Sequence, residues 1–290
     1  MIHFDDIQDD EIRIIGRQEA KGRPFYKAWW FWTALCAAIL AIALTLLFAI
    51  RHASRQIPND AVAEVIPESE AVAPAIVECE PATVIVRDTT VNDVPLRLYT
   101  PINAVPELCI GIPDTADTAL ILGLQAADTR ADNKEIVGAF VLRGELLSRG
   151  SAKQGFCAII NGSVRIGIAE STPLLEDAIN QKGYFFRQYP LVNNGRMVEN
   201  KPKGKALRHA LCELNGAIVV VSSSDKESLH DFAQALADLG VGNAIYLVGG
   251  EAYGFYRDIA TGTSNPVVWG SVPTRQAFKN VNFIVWRGKE

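Results

Sequence analysis

Hydrophobic positions along the chain follow two regimes. Residues 28–50, AWWFWTALCAAILAIALTLLFAI, form one apolar run of 23 residues without a charge. At about 1.5 Å of rise per residue, a helix of this length spans roughly 34 Å, enough for a hydrocarbon core of about 30 Å. A buried core helix would carry a polar stripe, and only Thr33, Cys36 and Thr45 interrupt this run. Trp29, Trp30 and Trp32 gather at its N-terminal end, where an aromatic belt meets the membrane interface. The pattern predicts one transmembrane helix. The run exceeds the apolar core of a cleaved signal peptide, about 7–15 residues, so an uncleaved signal-anchor is expected. Lys21, Arg23 and Lys27 precede the helix, against Arg51 and Arg55 after it. That asymmetry puts residues 1–27 in the cytoplasm and the following domain in the periplasm or exterior.

Beyond the helix, residues 51–82 carry Pro58, Pro67, Pro74 and Pro81 among Ala, Val and Glu, the composition of an extended spacer. From Thr83 to residue 290 the second regime begins. Short runs rich in Val, Ile, Phe and Tyr predict strands: Thr83–Arg87, Leu96–Tyr99, Leu120–Leu124, Ile136–Leu142, Phe156–Ile160, Val164–Ile168, Tyr184–Val192, Ala217–Val221, Ala244–Val248 and Phe283–Trp286. Asn194-Gly195 and Asn215-Gly216 suit hairpin turns. Two helices are expected. One runs from Pro173 to about Gln181 with Thr172 as cap. The other follows a capping box at Ser224-Asp225-Lys226-Glu227, with Leu229, Phe232, Ala233, Leu236 and Leu239 at helical spacing and Gly240 as stop. The domain 83–290 therefore reads as α+β, sheet-dominated, with few helices.

Charge and composition narrow the functional classes. The 28 basic residues stand against 33 acidic ones, a net charge of −5, which argues against a nucleic-acid partner. Apolar residues make up 49% of the chain, enough for a core without a metal or disulfide staple. Cys79, Cys109, Cys157 and Cys212 could form two disulfides, in three connectivities, or remain buried thiols. None has C-x-x-C spacing and the four histidines are scattered, so no metal or other cofactor is expected. Asn161-Gly162-Ser163 matches a glycosylation sequon, which matters only in a eukaryotic secretory setting.

Chemistry can sit at strand-to-loop junctions. Candidates are the strand ending Asn161-Gly162, Phe185-Phe186-Arg187-Gln188, Arg208 before Ala210-Leu211, and Ile245-Tyr246-Leu247-Val248-Gly249-Gly250-Glu251, followed by Tyr253-Gly254-Phe255-Tyr256-Arg257. Each alone also reads as an ordinary turn or solvated face. In this order, and with Val268-Trp269-Gly270 and Asn282–Trp286, they resemble the phosphodiester glycosidase family over about residues 118–290. The likeness is greatest to its membrane-anchored members in Bacteroides-type bacteria. The resemblance implies a membrane-anchored protein of the cell envelope acting on a sugar-phosphate or related glycan ligand. Its partners are then that ligand and, through residues 28–50, the lipid bilayer.

By that resemblance Arg208 and Glu251 are the catalytic candidates. Arginine's planar fork suits phosphate, which brings in Arg187 and Arg257, and a carboxylic acid suits proton transfer at the sugar. Asn161 would bind sugar hydroxyls, Tyr253 and Tyr256 would stack on a sugar face, and Gly249 and Gly250 would let the ligand approach closely. In one position the chain departs from the family. The strand usually ends Leu-Asp-Gly-Gly, and Val248 stands in the acid's place, which leaves open a non-catalytic relative that binds glycan or a protein.

Overall fold

The computed structural model describes residues 81–258, 265–273 and 280–289, all within the compact unit Ile76–Glu290. The tail, the 28–50 run, the spacer up to residue 80, Cys36 and Cys79 lie outside the described residues. Among the described residues no helix is long and apolar enough to cross a membrane.

The described chain is α+β and dominated by sheet. Its first half contains β1 (Thr83–Val91), β2 (Val94–Ile102), β3 (Ala104–Ile110), β4 (Leu120–Gln125), β5 (Phe140–Leu142), β6 (Glu145–Ser148), β7 (Gly155–Ile160) and β8 (Ser163–Ile168). Next come α1 (Leu174–Asn180), β9 (Tyr184–Gln188), β10 (Pro190–Asn193), β11 (Arg196–Met197), β12 (His209–Leu214) and β13 (Ala217–Ser223). The remainder is α2 (Leu229–Asp238), β14 (Asn243–Leu247), β15 (Gly254–Tyr256), β16 (Val267–Trp269) and β17 (Asn282–Gly288). Three sheets result, in the orders β1-β2-β13-β12-β14-β10-β11, β16-β15-β4-β17-β3 and β6-β5-β9-β7-β8.

Side-chain alternation explains how the sheets share one core. Leu211, Val220 and Ile245 from the seven-stranded sheet meet Leu122, Ile284 and Trp286 from the second sheet and Phe140, Cys157 and Phe186 from the third. The opposite face of the seven-stranded sheet carries Leu98, Ala210, Val221 and Ala244, which pack against Phe232, Ala233 and Leu236 of α2. Strand period two sends neighbouring residues to these two cores in turn.

Asn194-Gly195 and Asn215-Gly216 do close hairpins, with both residues of each pair at positive φ. Asn161-Gly162 closes a third in the same way, between β7 and β8.

Three expectations need correction. The second helix is capped by Ser228, whose hydroxyl accepts from the Asp231 amide at 2.9 Å, not by Ser224. Glu227 is held away from the helix by a two-way backbone bridge to Ala206, at 2.9 and 3.1 Å. The run Tyr184–Val192 is two strands in different sheets, because the chain leaves one ladder at Tyr189 and enters the next at Pro190. Pro190 has no amide proton, and the register with β14 shifts there. The run from Ile136 narrows to Phe140–Leu142, since Gly138 at φ +86° breaks it. Cys109, Cys157 and Cys212 are free thiols, the last two buried.

Candidate functional site

The turn after β14 is where the family's acid would stand. Val248 leaves the ladder, and its amide donates to the Gln125 carbonyl at the end of β4. Gly250 N–H donates to Leu207 O at 2.8 Å, which draws the turn against the approach to β12. At Gly249 a Cβ would lie 2.2 Å from Tyr246 Oη and 2.4 Å from Leu207 O, so only glycine fits. Arg208, buried, lies beneath the same turn. It donates to Tyr246 Oη at 3.3 Å, to Gly204 O at 2.6 Å and to Glu227 O at 2.9 Å. Burial pushes the Tyr246 phenol up, against the pull of the Arg208 guanidinium. Glu251 follows in the open, its carbonyl accepting from Ser271 N. The structure thus brings Arg208, Gly249 and Gly250 together, and Glu251 follows them in the chain.

The other candidates sit elsewhere. Arg187 is buried and donates to the carbonyls of Lys153, Ala169 and Glu170. Arg257 donates to Thr115, Asp117 and Leu120 carbonyls. The three guanidinium groups hold carbonyls of different segments, each tying down its own loop. Asn161 is on the exposed β7–β8 turn, at the opposite end of β7 from the Phe156–Arg187 pair, and bonds Gln181. It lines a separate cleft of about 490 Å³ with Glu107, Tyr184 and Arg287. Tyr253 is in an apolar cluster, edge-on to Phe283 at 6.2 Å between ring centroids. Tyr256 is half-buried beside Tyr99, at 5.3 Å, and Trp269, at 6.3 Å.

Two polar clusters escaped sequence reasoning. In the first, Lys153 ion-pairs with Asp128 and donates to Gln188 Oε1 at 3.0 Å, its ammonium 4.5 Å from the centre of the Tyr189 ring. Burial pulls the Lys153 ammonium down, against the opposing effect of Asp128. Asn282 Oδ1 accepts from Ala127 N at 2.7 Å and its Nδ2 donates to Ala127 O at 3.0 Å, which fixes the segment before Asp128. The cluster borders the β14 turn, because Tyr246 N bonds Tyr189 O and Val248 N bonds Gln125 O. Gln188 and Asn282 stand beside apolar runs, but Asp128 and Lys153 lie in polar segments that give no sign of the cluster.

The second cluster is His209, 3% exposed, beside Trp269. Its Nδ1 and Ser222 Oγ share a 2.7 Å hydrogen bond, while Nε2 has no hydrogen-bond partner among the described residues. Burial pushes the imidazole down to about 4, from an ordinary value near 6.5. The unfolded chain therefore takes up a proton between pH 6.5 and 4 that the fold refuses. The contribution to stability is complete above pH 6.5 and is lost as the pH falls through that window, on the order of 3 kcal/mol in all. Thermal unfolding followed from pH 7 to 4 is expected to lose this increment in the wild type and to keep it in His209→Phe. Equal slopes for both proteins would remove His209 as the cause.

Residues 119–281, more than half of the chain, match the profile of the phosphodiester glycosidase family. The fold is similar to the catalytic domain of zebrafish N-acetylglucosamine-1-phosphodiester alpha-N-acetylglucosaminidase, auto-inhibited by its pro-peptide. That match has TM-score 0.51 and 12% identity, over 72% of this chain and 83% of that one. A hypothetical protein from Synechocystis is similar with TM-score 0.51 and 14% identity, over 73% of this chain and 64% of that one. No curated protein matches the chain. The matched segment takes in β4 through β16, with the β14 turn and the Lys153–Asp128 pair inside it, and the chain belongs to the phosphodiester glycosidase family.

Proposed function

We propose that the chain is a hydrolase of sugar phosphodiesters, held at the cell membrane by residues 28–50 with its domain in the periplasm or exterior. The observation that carries the reading is the family match across residues 119–281. Membrane anchoring and orientation rest on the uncharged 23-residue run and its flanking charges. The zebrafish enzyme of similar fold is named for N-acetylglucosamine-1-phosphodiesters, so the substrate class proposed here is a sugar 1-phosphodiester of envelope glycan.

Glu251, exposed on the turn after β14, serves as proton donor at the leaving oxygen. Arg208 supplies positive charge beneath that turn and fixes its shape through Tyr246. Gly250 leaves the turn bare where a sugar would approach, and Gly249 lets the turn pack onto Tyr246 and Leu207. Tyr256 packs beside Tyr99 and Trp269, outside that turn. Arg187 and Arg257 act only through the loops they hold, and Asn161 and Tyr253 take no part.

The test is incubation of the purified full-length chain with N-acetylglucosamine 1-(methyl phosphate) in 18O-water, read by 31P NMR and mass spectrometry. The expected products are methyl phosphate and a sugar carrying the 18O. Label found in the phosphate would indicate a phosphodiesterase instead. No turnover above an Arg208→Ala control would end the hydrolase reading.

A further inference from the structure

The family's acid is missing at Val248, and the segment that Val248 bonds leads on to a carboxylate. Val248 N–H donates to Gln125 O, and three residues beyond Gln125 stands Asp128. The chain between them is fixed at each step. Ala126 O accepts from Gln188 Nε2 at 3.4 Å. Ala127 is clamped on both backbone groups by Asn282. Gln188 and Asn282 are 0% and 1% exposed, so two buried amides are committed to one short segment.

Asp128 itself meets the ammonium of Lys153 through Oδ2. The Lys153 side chain is 7% exposed and that of Asp128 32%. Lys153 also sits at φ +65°, a conformation that side chains disfavour, and Arg187 Nη1 holds its carbonyl at 3.2 Å. Strain and buried charge at one point, next to the turn that defines the family's site, are what a functional centre retains. A lysine that merely solubilised the surface would need none of this support.

We infer that Asp128 is the catalytic carboxylate of this protein, accepting a proton from the attacking water in the place where Val248 cannot, and that Lys153 is its positioning residue. The inference rests on the hydrolase reading above. Water adds its oxygen to the anomeric carbon as the bond from that carbon to the phosphate oxygen breaks. The electron pair of the broken bond stays on the phosphate, which leaves as a monoester. The water's proton passes to the Asp128 carboxylate and from there to solvent. Glu251, as the donor proposed on the leaving side, would complete the pair of carboxyl groups that glycoside cleavage uses. Arg187 and Gln188 act one step further out, by holding Lys153.

The experiment compares the full-length wild type with Asp128→Asn, Asp128→Glu, Lys153→Met and Lys153→Arg on N-acetylglucosamine 1-(methyl phosphate), with melting temperatures alongside. Removing a general base costs about 100-fold or more in rate. Asp128→Asn is expected to lower kcat about 100-fold with KM within threefold. Lys153→Met is expected to follow it, and Lys153→Arg to recover part of the loss. Should Asp128→Asn fail to fold, Asp128→Glu decides. It keeps the charge and the ion pair but displaces the oxygens, so a tenfold or greater fall in kcat supports the inference and an unchanged kcat overturns it. A folded Asp128→Asn with kcat within threefold of wild type overturns it also, and leaves the hydrolase reading standing. An inactive wild type overturns both.

Discussion

Phe232→Ala is expected to destabilise the domain by about 3–5 kcal/mol, the range for deleting a fully buried aromatic ring. Phe232 is 0% exposed and lies at the centre of the contact between α2 and the seven-stranded sheet. The helix has ten residues, too few to persist alone in water, so its stability comes from this face. Leu229, Ala233 and Leu236 share that face, and their small or branched side chains cannot swing over to fill a ring-sized void. Urea unfolding should show a lower midpoint at unchanged slope. A loss below about 1 kcal/mol would mean that the helix is not anchored there.

Asn282→Ala is expected to cost about 2–6 kcal/mol by a different route. The Asn282 amide satisfies the Ala127 amide proton and carbonyl together, and Ala127 is buried. Removing it strands two backbone groups out of reach of water, each worth about 1–3 kcal/mol. The loss falls on the segment that carries Asp128. Hydrogen exchange at the Ala127 amide should therefore accelerate beyond what global destabilisation explains. Protection at Ala127 that changes only in step with the whole domain would show that the clamp is redundant.

What the sequence discloses depends on whether a signal is local. Leu229, Phe232, Ala233 and Leu236 lie on one helical stripe, so α2 could be read from spacing. Its cap could not, because Ser224 and Ser228 both offer a hydroxyl three residues ahead of an acid, and only the long-range bridge of Glu227 to Ala206 decides between them. The break at Tyr189 was hidden for the same reason: apolar continuity says nothing about which sheet a residue joins. β3 was missed because Pro106 and Glu107 interrupt its apolar run. At the site, the Gly249-Gly250 turn announced itself through composition. Lys153, Asp128, Gln188 and Asn282 are brought together from stretches as much as 154 residues apart (282 − 128), and nothing in the vicinity of any one of them marks the others.

Insertion of β17 between β3 and β4 sets a condition on biosynthesis. β17 pairs along its length with residues 104–110 on one side and 120–125 on the other. As the ribosome delivers β3 and β4, each presents an unpaired edge that stays open until residues 282–288 emerge. Closing so long a loop is slow, and exposed edges recruit other chains in the meantime. Pairing of the nascent edges with other chains is therefore expected to compete with folding until the last strand is released.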